Sequence, residues 1–247
     1  DPERFHEDAY RYGIRYQYAF EHSTSRRLFL MHNDVLILQD VLGFMLEQMG
    51  EAVAVGHLGQ CWNCPAHTEE LTREIMGRGP CGPDRYMDFR PDYGQLQQLY
   101  ALAHQRNIFS RPYDRGFAGI FDQQPWPLPE CRINEWACLL DLEASRPICV
   151  PNGPVLPPGA YRQCGPVCLD IGVEWFRGMH ARGRYARHVD LSRHLKHWVG
   201  TGKVTARRYA LAEENALKIL LTSFPEYCDW LRSTINNKPL GVSDRRN

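Results

Sequence analysis

The sequence lacks any apolar run that approaches the roughly 20 residues a membrane-spanning helix requires. It also lacks an excess of either charge, because 29 basic and 29 acidic side chains give a formal net charge of zero. Nucleic-acid-binding domains usually show a clustered basic face. We therefore expect neither a nucleic acid partner nor a transmembrane segment.

Cysteine is too sparse to hold the fold together as it does in small secreted domains. The chain has nine cysteines in 247 residues, an odd number, so at least one of them lacks an intrachain partner. Its first residues are polar and acidic, unlike a signal peptide. We expect a cytoplasmic protein, and the length suits one large domain or one domain with a subdomain.

The most informative segment is the apolar run at residues 28–31, which ends abruptly at His32, Asn33 and Asp34. This pattern predicts a buried strand that delivers a carboxylate to its C-terminal end, the edge at which open α/β sheets bind ligands. A carboxylate there can hold a divalent cation through hard oxygen ligands. The alternative is a plain turn, because Asn and Asp both favour turns.

Two later segments carry further polar candidates. Asp170 precedes a predicted helix over residues 173–182, so its carboxylate is either the helix N-cap or an acid–base group. His194 and His197 lie in a basic segment, residues 193–200, that suits either contacts with a diphosphate or a solvated surface.

Taken in order, these segments resemble motifs of the family 2-like glycosyltransferases of the GT-A fold. The His32-Asn33-Asp34 motif is similar to the Asp-x-Asp-type motif that carries the metal for a nucleotide-sugar diphosphate. Asp170 resembles the aspartate of the family's Glu-Asp motif, with Leu169 in place of the glutamate. Residues 193–200 resemble the His-x-x-Gly segment, in which a histidine completes the metal and diphosphate site.

The resemblance implies an α/β fold with a GT-A-like mixed sheet flanked by helices over residues 1–203. Residues 204–247 then form a C-terminal helical extension and tail. The metal-motif strand begins as early as residue 28, so the resemblance also implies that the N-terminal part of the nucleotide-binding half is missing from this sequence.

The resemblance also implies a function, namely an inverting glycosyltransferase that moves a sugar from a nucleotide-sugar donor to an acceptor hydroxyl of a glycan, a lipid-linked molecule or a small molecule. Asp34 and His197 are the expected ligands of Mn²⁺ or Mg²⁺, with His194 as the alternative to His197. Asn33 and Asp34 are expected to contact the donor, and Asp170 is the expected catalytic base.

Several residues outside the three motifs are further candidates. Trp62 follows the next predicted strand and is expected to stack on the sugar or the base of the donor. If Asp170 is not the base, three other carboxylates are available in the same half of the chain: Glu135, Asp141 and Glu174.

The cysteines support an alternative function. Cys61 and Cys64 form a C-x-x-C motif, and Cys164 and Cys168 form a second close pair. Two thiolate pairs can bind zinc tetrahedrally, which predicts a zinc-binding structural or interaction module. The pattern favours ordinary buried or loop thiols over zinc, because free cysteine is often a small core residue. A catalytically silent GT-A remnant is a third hypothesis.

Hydrophobic periodicity and turn residues predict the main elements. Asp40 is expected to cap the second helix, which ends at Gly50. The predicted helices are residues 5–21, 41–49, 94–107, 173–182 and 206–224, and the predicted strands are residues 28–31, 52–56 and 132–142.

Overall fold

The computed structural model describes residues 8–59, 64–108, 127–128, 131–164, 167–197, 206–226, 229–230 and 233. The chain divides into two compact units, Asp1–Leu195 and Lys196–Asn247. The helices are α1 Asp8–His22, α2 Val41–Met49, α3 Glu69–Met76, α4 Tyr93–Gln105, α5 Leu142–Ser145, α6 Val173–His180 and α7 Ala206–Ser223. The strands are β1 Arg27–Met31, β2 Val35–Ile37, β3 Ala54–Leu58, β4 Ile133–Asp141, β5 Arg162–Cys164, β6 Val167–Leu169, β7 Ala186–His188 and β8 Leu195–His197.

The central sheet has the strand order β1-β4-β3-β7. Strand β4 is antiparallel to both β1 and β3, and β7 is parallel to β3. Strands β1, β3 and β7 therefore point the same way, and their carboxyl ends lie at the edge where β4 begins. The expected mixed α/β architecture is confirmed at this level. The remaining strands form two small sheets, β2 with β8 and β5 with β6.

Helices cover both faces of this sheet, because successive strand residues point to opposite sides. On one face Val41, Met45 and Met49 of α2 pack with Val55 and Leu139. The larger core lies on the other face and joins α1, α4 and α6 to the sheet, through residues that include Phe20, Leu96, Leu99, Trp175, Leu58 and Leu140.

Helix caps fix where two of the helices begin. Asp40 caps α2 as predicted, since its Oδ1 accepts from the backbone N–H of Gly43 at 2.8 Å. Helix α4 begins with a capping box in which Asp92 and Gln95 each bond the other's backbone N–H. Reciprocal bonds of this kind satisfy amides that a helix leaves unpaired at its start.

The sequence-based strand predictions hold to within two residues. Strand β4 was expected over residues 132–142 and spans Ile133–Asp141, whereas β3 begins two residues later than expected. The delay arises because the amide of Ala52 still bonds the carbonyl of Met49. Helix α3 was not predicted, because it is short and polar and buries only Leu71 and Thr72. None of the described helices is long and apolar enough to cross a membrane.

Candidate functional site

The polar residues after β1 lie at the carboxyl edge of the sheet. The backbone N–H of His32 donates to the carbonyl of Trp136 at 2.9 Å, so pairing with β4 continues one residue beyond the strand. The side chains of His32 and Asp34 are mostly buried, at 28% and 23% exposure, whereas Asn33 is exposed at the turn. His32 Nδ1 lies 3.8 Å from Asp34 Oδ1.

His32 and Asp34 lie together at this turn, and each offers an atom that could ligate a metal ion. Asp34 was expected as a ligand, but His32 was not. An imidazole nitrogen beside a carboxylate suits Mn²⁺ better than Mg²⁺, because Mg²⁺ is usually bound through oxygen and water. His197, the other expected ligand, ends β8 in the second unit.

His194, the alternative to His197 as a ligand, has packing partners in the first unit. The ring of His194 stacks on Phe44 of α2, with centroids 4.2 Å apart and planes 12° apart. Its carbonyl accepts from the amide of Leu38 at 2.8 Å. His194 therefore packs against α2.

A buried arginine at the start of β4 joins two carboxylates. Only 3% of the Arg132 side chain is exposed, and its guanidinium bonds both Glu135 and Asp170. The bond from Nη2 to Asp170 Oδ2 is 2.8 Å long. Burial lowers the pKa of Arg132, and the charge of Asp170 acts in the opposite direction. A charge buried this deeply is stable only when it is paired in this way.

Glu135 extends this network to the metal-motif residues. Its Oε1 lies 3.8 Å from Nε2 of His32. A continuous series of polar side chains therefore runs from His32 through Glu135 and Arg132 to Asp170. The series brings the predicted metal motif and the predicted base to one edge of the sheet.

Asp170 is not the N-cap of the following helix, so that alternative was wrong. Helix α6 begins at Val173 and its cap is Gly172, whose φ of 78° lies in the left-handed region that suits glycine. Asp170 Oδ1 instead accepts from the amide of Ile171 at 2.9 Å. The carboxylate is 44% exposed, so a substrate can reach it.

The other two candidate carboxylates have structural partners away from this network. Asp141 ends β4 at the opposite edge of the sheet and caps α5 by accepting from the amide of Ala144 at 2.9 Å. Glu174 lies in α6, where its Oε1 is 3.6 Å from Nε of Arg177.

The ends of β3 and β7 contribute a second polar group that sequence reasoning missed. The rings of His57 and His188 meet edge to face at 5.0 Å, and Nδ1 of His188 accepts from the amide of Leu58 at 3.0 Å. Burial lowers the pKa of both histidines, so both are neutral at pH 7. Their only signal in the sequence was two isolated histidines 131 positions apart, and such residues are usually structural.

Some of the residues predicted as site candidates are described only in part or not at all. Trp62 and Cys61 fall outside the described residues. Cys164 and Cys168 lie on the paired strands β5 and β6, where Cys168 is opposite Gln163, but the structure describes only their backbone.

No family model, no curated protein and no solved structure matches this chain. The side chains gathered at the carboxyl edge of the sheet are therefore the basis for assigning a function.

Proposed function

We propose that this protein is a metal-dependent glycosyltransferase with a GT-A-like fold, which moves a sugar from a nucleotide-sugar donor to an acceptor hydroxyl. The observation that supports this most strongly is the series His32, Glu135, Arg132 and Asp170. It connects two motifs that are 138 positions apart in the sequence and that resemble the metal and base motifs of one enzyme family.

The donor side of the site would be formed around His32 and Asp34, which are the residues that would hold Mn²⁺. A bound divalent cation offsets the negative charge that develops on a diphosphate leaving group. Asn33 is exposed at the same turn, where its amide can bond the ribose or a phosphate oxygen.

The acceptor side of the site centres on Asp170. A carboxylate within hydrogen-bond reach of the acceptor hydroxyl takes its proton as the hydroxyl attacks. Arg132 and the amide of Ile171 each bond one oxygen of Asp170 and so fix its orientation. Each oxygen has a second lone pair that remains able to accept from a substrate. A single displacement with this base inverts the anomeric centre.

A donor screen tests the proposal. The chain is incubated with a panel of nucleoside diphosphate sugars, with and without Mn²⁺, and release of the nucleoside diphosphate is measured. We expect Mn²⁺-dependent release with at least one donor, lost in Asp34→Asn and Asp170→Asn but kept in the control Glu143→Gln, whose carboxylate is exposed. Release that persists in both site variants would contradict the proposal, and donor binding without release would indicate a silent remnant.

A further inference from the structure

Three cysteines from distant parts of the first unit surround one small cavity. Cys64 precedes the short turn Pro65–His67, Cys81 follows α3, and Cys131 comes directly before Arg132 at the start of β4. All three are buried, at 3%, 5% and 8% exposure. The cavity they line has a volume of about 10 Å³, which is room for about one water-sized occupant.

The Cys131 thiol is central in this cluster. It lines the cavity together with the thiols of Cys64 and Cys81, and these two neighbours together with burial raise its pKa well above the usual value. Three thiols crowded in an apolar pocket resist forming thiolates on their own. A bound cation reverses this, because metal coordination deprotonates a thiol outright.

An imidazole lines the same cavity. Nδ1 of His67 lies 2.7 Å from the carbonyl oxygen of Cys81, a contact that requires Nδ1 to carry the proton and to donate. In that tautomer Nε2 keeps its lone pair. Metal-binding histidines almost always donate their other ring N–H to a carbonyl or carboxylate in this manner.

We propose that Cys64, His67, Cys81 and Cys131 bind one structural zinc ion. Three thiolates and one imidazole are a common ligand set of tetrahedral structural zinc sites. In such a site Zn–S distances of about 2.3 Å put the sulfurs about 3.8 Å apart. The three sulfurs here do not all lie within 4.8 Å of one another, so zinc binding draws the outer thiols, Cys64 and Cys81, towards Cys131.

This ligand set differs from the one expected from sequence. The two close cysteine pairs predicted a site of Cys61, Cys64, Cys164 and Cys168. The structure instead surrounds Cys64 with Cys81 and Cys131, which are distant in sequence. The proposed zinc ties the turn after β3 to the start of β4, next to Arg132. It is independent of the transferase proposal and is tested without any sugar donor.

Metal content of the full chain tests the site. The protein is purified with zinc present, dialysed against metal-free buffer and analysed for zinc by mass spectrometry. We expect one zinc per chain, and less than a tenth of that in Cys81→Ser and Cys131→Ser. Cys138→Ser and Cys149→Ser are matched controls that keep the zinc, because these cysteines are equally buried but do not line the cavity. Wild-type protein without zinc, or zinc retained in both site variants, would overturn the proposal.

Two further measurements decide the matter if the serine variants do not fold. Replacement of zinc by Co²⁺ in the wild-type chain gives visible bands of tetrahedral thiolate coordination if the site exists, and their absence overturns it. Alkylation and mass mapping without reductant should find Cys131 as a free or metal-protected thiol. A disulfide from Cys131 to Cys64 or Cys81 overturns the proposal.

The fourth ligand is tested separately. We expect His67→Asn to weaken zinc binding at least tenfold and Cys61→Ser to leave it unchanged. The reverse pattern would overturn the assignment of His67.

Discussion

At each edge of the central sheet an arginine bridges two carboxylates. Arg132, at the carboxyl edge, bonds Glu135 and Asp170 and is 3% exposed. Arg26, at the other edge, pairs with Asp141 at 3.4 Å and Glu143 at 3.1 Å and is 61% exposed. The ion-pair pattern is the same, but its surroundings differ.

Burial separates the roles of these two groups. Around Arg26 the guanidinium and the Glu143 carboxylate are solvated. Asp141 is buried, but it already serves as the cap of α5, so this cluster stabilises the end of the sheet and a short helix. The charge of Arg132 is removed from water. Of its two partners, Glu135 lies beside His32 and Asp170 is partly exposed to solvent. A buried ion pair is weak evidence for stability but a strong geometric constraint. We therefore infer that Arg132 orients the side chains of the site, whereas Arg26 stabilises only local structure.

The largest expected effect is on catalysis and comes from the exposed partner of Arg132. Asp170→Asn removes the proposed base and should lower sugar-transfer turnover by about 10²–10⁴-fold, with Mn²⁺ affinity unchanged. Asp141→Asn, at the other edge, should lower stability through its cap and leave turnover per folded molecule unchanged. Steady-state rates with the donor from the screen test this, and equal losses in the two variants would contradict the assignment.

The next effect is on stability and compares the arginines directly. Arg132→Met should lower the free energy of unfolding by about 2–4 kcal/mol, because it leaves Glu135 without its buried partner. Arg26→Met should cost less than about 1 kcal/mol, because Arg26 and Glu143 are exposed and Asp141 keeps its hydrogen bond from the Ala144 amide. Urea denaturation of both variants measures the difference. Similar values for the two would show that burial does not distinguish them.

The third prediction concerns the affinity for Mn²⁺. Asp34→Asn should weaken Mn²⁺ binding at least about 100-fold, since loss of an outer-shell partner alone costs 10–100-fold. Glu135→Gln, which touches His32 and Arg132 without being a proposed ligand, should weaken it less, by about tenfold. Calorimetric titration tests both variants, and a larger loss in Glu135→Gln would make Glu135 a ligand itself.

The smallest effect concerns His180, a partly buried imidazole under the influence of two arginines. Burial, then the charges of Arg90 and Arg177, lower the pKa of His180 to about 4. The unfolded histidine has a pKa of about 6.5. As the pH falls from 6.5 towards 4, the unfolded state therefore binds a proton that the folded state does not bind. The free energy of unfolding should fall by about 1–2 kcal/mol over this range, a value reduced for the partial exposure of the ring.

His180→Gln provides the measurement for this effect. The variant should lose less stability than the wild type between pH 7 and pH 4.5 in matched denaturation curves. An identical pH dependence in the two proteins would mean that His180 titrates normally.

Much of the scaffold was predictable because its signals are local. The apolar run of β1, the long strand β4 and the Asp40 cap each depend on neighbouring residues, and each appears within a residue or two of its expected place. The sequence order of the three motifs also led to Asp34, His197 and Asp170 as site candidates.

The rest depends on contacts that no local pattern encodes. Nothing near Arg132 indicates that it is buried between two carboxylates, one of them 38 positions later. The cluster of Cys64, Cys81 and Cys131 is likewise formed by tertiary packing, whereas the visible C-x-x-C spacing suggested other partners. His32 was not predicted as a ligand, because Asp34 alone explained the resemblance to the metal motif.

The central claim is that the carboxyl edge of the sheet binds a metal and a diphosphate together. Its most direct test is the affinity of the full chain for a nucleoside diphosphate, measured by calorimetry with and without Mn²⁺ for the wild type and Asp34→Asn. We predict that Mn²⁺ tightens binding at least tenfold in the wild type and not at all in Asp34→Asn. Equal affinities with and without Mn²⁺ in the wild type, for every base tested, would contradict the account.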